Sequence, residues 1–189
     1  QLSNPQEVSK VMLFPGVGMG SYDLVYSCAD GSVVTESFEQ GHIQVLCWQD
    51  LRPALESELV SFEIICTSGN PWMGELAFYD ISGKIIPITA SEIALCDEQE
   101  KVPAKSNFMN STYFDEIYHA RTAWEHQHSI WPYEISHPPL GKIIKAIGIE
   151  LFGMTPFGWR FMGTLFGVLM LPLMYDFLRR MFGGIWVPS

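Results

Sequence analysis

Nine consecutive residues, Tyr113-Phe114-Asp115-Glu116-Ile117-Tyr118-His119-Ala120-Arg121, concentrate groups that move protons or hold charge. Adjacent carboxylates on a helix point about 100° apart, so only one of Asp115 and Glu116 faces any given site. Two readings of Asp115 follow from its chemistry: a base that takes a proton, or a helix-start carboxylate favoured by the helix dipole. Asp115, His119, Thr122 and His126 would stack on one helical face, from which a metal site could be built. Two histidines seven apart are a weak pattern, however, and this is not the HExxH arrangement. A divalent cation is therefore unsupported, and no metal ligands are assigned. Further along, His137 stands before two prolines, Lys142 follows with Lys145 and Glu150 as charged interruptions of an apolar stretch, and Arg160 comes later.

Several elements must position these groups. Tyr113–His128 contains no Gly or Pro and reads as a helix, with Thr112 as its N-cap and Asp115 as a capping-box partner. Breaks follow at Trp131-Pro132 and at His137-Pro138-Pro139, where Pro139 suits a first helical position. The next helix, Leu140–Phe152, places Leu140, Ile143, Ile144, Ile147 and Leu151 on one face, as an amphipathic helix at a membrane surface would. There Lys142 could instead extend its ammonium to lipid headgroups. Phe157–Leu178 follows, uncharged from Phe161 to Tyr175. Its flanks bring it to the roughly 20 residues of a membrane span; a buried core helix is the competing reading. Gly163 and Gly167 form a GxxxG pair for close helix contact. Arg179-Arg180 at its end point to a cytoplasmic terminus, which leaves residues 1–156 extracytoplasmic.

The first part of the chain has a different texture. Residues 1–110 carry 15 acidic against 5 basic side chains, and residues 111–189 carry 6 against 6. An acidic surface argues against a nucleic-acid partner, which needs basic groups for phosphate. Short strands are expected at Lys10–Phe14, Tyr22–Cys28, Ser32–Ser37, His42–Trp48, Leu59–Thr67, Glu75–Ile81 and Lys84–Ile88. Asp30-Gly31 and Ser82-Gly83 are turn pairs. The pattern suggests a jelly-roll-like β-sandwich over residues 1–105, with Asp97–Lys105 as a linker. Trp48, Trp72 and Tyr79 would be either sugar-stacking platforms or core aromatics. Cys28, Cys47, Cys66 and Cys96 allow two disulfides or four buried thiols, and contain no CxxC pair for zinc. A first residue that is not Met, and an end just past an apolar segment, read as a piece of a longer protein.

The ordered set Phe114-Asp115-Glu116, His137-Pro138-Pro139-Leu140-Gly141-Lys142 and Phe157-Gly158-Trp159-Arg160 before an apolar helix resembles the protein O-mannosyltransferase family. The bacterial phospholipid carrier-dependent glycosyltransferases are the nearer likeness, which covers about residues 108–184. The resemblance implies a polytopic membrane enzyme of the glycosyltransferase C type, whose catalytic carboxylate lies in the first external loop. By that likeness, residues 106–156 are the catalytic loop, 157–180 the second transmembrane helix and 181–189 the start of a cytoplasmic loop. The β-domain would be an insertion. The donor would be a polyprenyl-phosphate sugar, mannose or another hexose, and the acceptor a protein Ser/Thr hydroxyl or a glycan. Asp115 would be the base, with Glu116 in support. Arg160, Lys142 and His137 would meet the donor phosphate, with a rigid structural turn as the other reading of His137. His119 and Arg121 would support the acceptor or the loop or else be solvated helix residues. By itself this piece would be inactive. A contrasting reading is a membrane-anchored carbohydrate-binding module without catalytic activity.

Overall fold

The structure, a computed structural model, describes residues 4–89 and 93–183. Seven strands occupy the first part: β1 Lys10–Pro15, β2 Gly20–Cys28, β3 Val33–Gln40, β4 Gln49–Leu51, β5 Leu59–Gly69, β6 Met73–Tyr79 and β7 Ile85–Ile86. They form two antiparallel sheets, ordered β4-β1-β6-β7 and β3-β2-β5. Alternation along β2 and β6 sends Tyr22, Leu24, Tyr26, Leu76 and Phe78 into one core shared with Val11, Leu13, Leu59 and Ile86. Both sheets thus bury one face against the other, the arrangement that hides a period-two apolar pattern. The Phe62 ring meets Phe78 edge-on at 5.1 Å across this core.

Strand β1 is buried on both faces. Its Met12 packs outward with Ala77, Tyr79 and Val102, and Trp48 and Ile85 lie against them. Val102 belongs to the stretch expected to be a linker. That stretch is instead docked, with its carbonyl accepting from the Tyr79 hydroxyl at 3.0 Å and the Ala104 carbonyl accepting from Lys10.

The strand expected at His42–Trp48 does not form. Val45 and Leu46 are both buried although adjacent. The segment turns instead, with Leu46 at φ 56° and its N–H bonded to the Pro15 carbonyl at 2.9 Å. The last expected strand shrinks to Ile85–Ile86, while β3 runs on to Gln40. The buried amide of Gln40 donates to the Gly16 and Gly18 carbonyls, each at 3.0 Å. All four cysteines are free thiols. Trp48 is half-buried and packs on Phe14 with ring centroids 4.9 Å apart, whereas Tyr79 is buried and is a core aromatic. Trp72 is exposed, lying so close over Gly16 that a Cβ there would sit 1.9 Å from the indole.

This β unit extends to Ile117, and a second compact unit begins at Tyr118. Three helices serve the second part: α1 Glu116–Gln127, α2 Leu140–Phe152 and α3 Pro156–Phe182. Helices α2 and α3 lie against each other at glycines. A Cβ on Gly148 would come within 2.5 Å of the Gly158 carbonyl oxygen, so backbone approaches backbone there. Thr155 caps α3 by accepting from the Gly158 N–H at 3.2 Å, and Pro156 sits in the first turn, where its missing N–H costs nothing. The 27 residues of α3 rise about 40 Å, ending at Gly183 with φ 65°. No residue of its most apolar stretch is buried among the described residues. It is long and apolar enough to cross a membrane. On α2, Leu140, Ile143, Ile147 and Leu151 are exposed, whereas Lys142, Ala146, Gly148 and Ile149 are buried. Lys142 therefore does not extend toward headgroups.

Candidate active site

The β unit delivers the acidic pair. Thr112, expected to cap a helix, is buried and turned the other way: its N–H donates to the Leu46 carbonyl at 3.1 Å. Its hydroxyl lies 3.3 and 3.2 Å from the Val45 and Leu46 carbonyls. The Ser111 hydroxyl accepts from the Trp48 N–H at 3.1 Å. The irregular turn that displaced the expected strand is thus the anchor for this segment. With Thr112 spent, the helix starts later. Phe114 takes a left-handed φ of 50°, and Glu116 supplies the cap, its carboxylate accepting from the Tyr113 N–H at 3.1 Å. This is the back-reaching half of a capping box.

Asp115 falls in the turn before α1 and is exposed. Its carboxylate makes no hydrogen bond or ion pair among the described residues. The two carboxylates therefore differ in kind: one closes a helix end, and the other is unengaged and can accept a proton or a hydroxyl.

The second unit gathers most of the remaining candidates around Glu134, a residue that sequence reasoning passed over. Its carboxylate accepts from the Ser136 N–H at 2.6 Å, the His137 N–H at 3.1 Å, the Ser136 hydroxyl and the Lys142 ammonium. The Glu134 carbonyl takes a further bond from the same ammonium at 2.6 Å. The Lys142 ammonium, these hydroxyl and backbone donors and His137 hold the Glu134 carboxyl far below the usual carboxylate range. Lys142 is accordingly buried as a neutralised partner, with only 4% of its side chain exposed.

His137 is 65% exposed, and its ring meets His119 edge-on at 5.6 Å. Burial, then the charges of Lys145, His137 and Lys142, push His119 below the ordinary imidazole value, with Glu134 opposing. Arg121 belongs to a separate clasp. It pairs with Glu125 at 2.7 Å, both side chains buried, and lies 4.1 Å over the Tyr133 ring. Glu125 in turn accepts from the Tyr133 N–H at 2.6 Å, so Arg121 ties the loop to α1. Arg160 is half-buried on the first turns of α3, beside the buried Trp159. No cluster of three metal-ligating side chains occurs among the described residues. A glutamate three residues ahead of His-Pro-Pro was the one available signal for Glu134, and it acquires meaning only once the turn brings Lys142 back to it.

Comparison with known proteins bears out the resemblance drawn from the motifs. The chain is 40% identical over 73 residues to a polyprenol-phosphate-mannose–protein mannosyltransferase of Mycobacterium tuberculosis, a match covering 35% of this chain and 14% of that protein. A Mycolicibacterium smegmatis protein of the same name is 38% identical over 73 residues, with the same coverage. One from Corynebacterium glutamicum is 34% identical over 87 residues, 39% of this chain and 16% of that protein. The chain thus matches only a small part of these relatives. No protein-family model matches it, and no solved structure does.

Proposed function

We propose that the chain carries the first external loop and second membrane helix of an inverting glycosyltransferase. The enzyme would move mannose or a related hexose from a polyprenyl phosphate to a hydroxyl, most simply that of a protein Ser or Thr. Direct attack of the hydroxyl on the anomeric carbon inverts it, and the polyprenyl phosphate departs with the bonding pair. The reaction needs a base for the hydroxyl proton and positive charge for the phosphate.

The observation that carries this reading is the state of Asp115: exposed, unpartnered, and held on an anchored turn beside a capping Glu116. Asp115 is the base, and Glu116 fixes the turn from which it projects. Arg160 carries the phosphate contact. Lys142 and His137 belong to the corner built on Glu134, with Lys142 acting through that carboxylate. His119 lines that corner, and Arg121 holds the loop. Arg179-Arg180 lie on the cytoplasmic side, with residues 1–156 outside and the β unit a jelly-roll-like insertion. Of the three platforms that a carbohydrate-binding module would use, Tyr79 is buried, Trp48 half-buried and Trp72 exposed.

The test is transfer of labelled mannose from polyprenyl-phosphate-mannose to a Ser/Thr peptide by the complete protein in vesicles. Asp115→Asn is expected to lower kcat by about 10²- to 10⁴-fold, the range of a lost general base. Full activity in that variant would remove Asp115 from the mechanism.

A further inference from the structure

The corner around Glu134 sets the proton on the His137 ring. The His137 Nδ1 has two neighbours, the Ser136 Oγ at 3.2 Å and a Glu134 carboxylate oxygen at 3.2 Å. An ionised carboxylate only accepts, and the single proton of the Ser136 hydroxyl is already given to Glu134. Neither neighbour has a hydrogen left to offer, so the two contacts are satisfied together when Nδ1 carries it. In the neutral ring the lone pair is then left on Nε2. Nε2 has no hydrogen-bond partner among the described residues, and it belongs to a ring whose side chain is 65% exposed. Carboxylates that bond the inner nitrogen of a histidine recur wherever the outer nitrogen must be aimed and kept basic.

We propose that Glu134, with Ser136, is a positioning residue that holds His137 as its Nδ1–H form, so that Nε2 accepts a hydrogen bond from a substrate hydroxyl. A neutral Nε2 cannot donate to a phosphate oxygen, so this changes the partner of His137 from the phosphate to an O–H group. The identity of that group rests on the transferase reading, in which two sources share the chemistry: a hydroxyl of the lipid-linked sugar and the hydroxyl of the acceptor. Glu134 also holds Lys142 at the first turn of α2, which ties the corner to that helix.

The experiment uses the complete protein with ¹⁵N-labelled histidine in detergent micelles, read by long-range ¹H–¹⁵N spectra above the imidazole titration. His137 should show a protonated Nδ1 and a bare Nε2, and Glu134→Gln should move it toward the Nε2–H form. Glu134→Asp should restore the native pattern in part. The same Gln variant should lose about 10- to 100-fold in kcat/KM, the usual cost of removing a partner that orients an imidazole. A raised KM for the lipid-linked sugar assigns the hydroxyl to the donor, and a raised KM for the peptide assigns it to the acceptor. If Glu134→Gln fails to fold, Ser136→Ala, which removes one of the two acceptors, should shift the tautomer in the same direction. An Nε2–H form in the unmodified protein overturns the proposal. So does a tautomer indifferent to both variants, or one that shifts while every kinetic constant stays fixed. An unmodified protein that transfers no mannose would sink the transferase reading alone, because the spectra still decide the hold of Glu134 on His137.

Discussion

In the β unit, Val11, Leu13, Tyr26 and Phe78 are withdrawn from water between two sheets. In the helical unit, Leu140, Ile143, Ile147 and Leu151 of α2 face outward, as do Leu169, Leu171 and Leu173 of α3. Similar residue types meet opposite fates because the strands have a facing sheet to cover them and these helix faces do not. An uncovered apolar surface along a helix of about 40 Å is more than a water-soluble domain leaves exposed, and it suits a hydrocarbon environment. The carboxylates divide in the same way. Glu75 on β6 is buried with one oxygen lacking a donor. Burial, reinforced by Asp97 and Glu98 against the bonds from the Leu76 and Glu98 N–H groups, pushes it up to about 7. Glu134, ringed by donors, is driven down. Burial without enough donors neutralises a carboxyl, while a ring of donors keeps one charged.

The contrast breaks first in the β core. Phe78→Ala should destabilise that unit by about 4 kcal/mol, the usual cost of deleting a fully buried ring, in urea unfolding followed by tryptophan fluorescence. A loss under about 1 kcal/mol would mean the sheets do not share a core. The helical side is tested by Leu169→Arg, which should weaken membrane insertion by about 3 kcal/mol at a span centre, scored by a glycosylation-reporter insertion assay. Unchanged insertion would separate α3 from lipid.

The smallest effect concerns Glu75. Its folded value of about 7 lies above the ordinary 4.5, so the folded state binds the proton more tightly. Stability should therefore be greatest below the ordinary value and fall as pH rises through about 7, by on the order of 2 kcal/mol. Glu75→Gln should flatten that slope in denaturant titrations at pH 5 and pH 8. A slope unaffected by the variant would assign it to another group.

How much was legible beforehand depends on which forces act locally. The α2 boundaries, Leu140 to Phe152, follow from Pro139 ahead and Gly153 behind, and they were readable as such. The apolar run of α3 and the Thr155-Pro156 start were equally plain. Strands β2 and β6 were followed by their turn signals, Asp30-Gly31 and Ser82-Gly83. The turn at Val45–Leu46 was opaque because its two adjacent buried residues answer to Pro15 and Thr112, which are distant in sequence. Thr112 looked like a cap for the same reason: nothing nearby in the chain announces the carbonyls that claim its hydroxyl.

The candidate site follows the same division. Residue order alone determined which groups were present and that His137 would sit at a proline-fixed turn before a helix. The second is a consequence of proline sterics, which act over a few residues. Asp115 and Glu116, by contrast, were separated by the helix starting at Glu116 and not by two positions on one helix. Only the tertiary structure decided the condition of each group. It left Asp115 unengaged, spent Glu116 on a helix end, and buried Lys142 against Glu134. It also turned Nδ1 of His137 toward Ser136 and Glu134. Charge state and tautomer are set by partners within about 3 Å, and those partners are chosen by the fold rather than by neighbouring sequence.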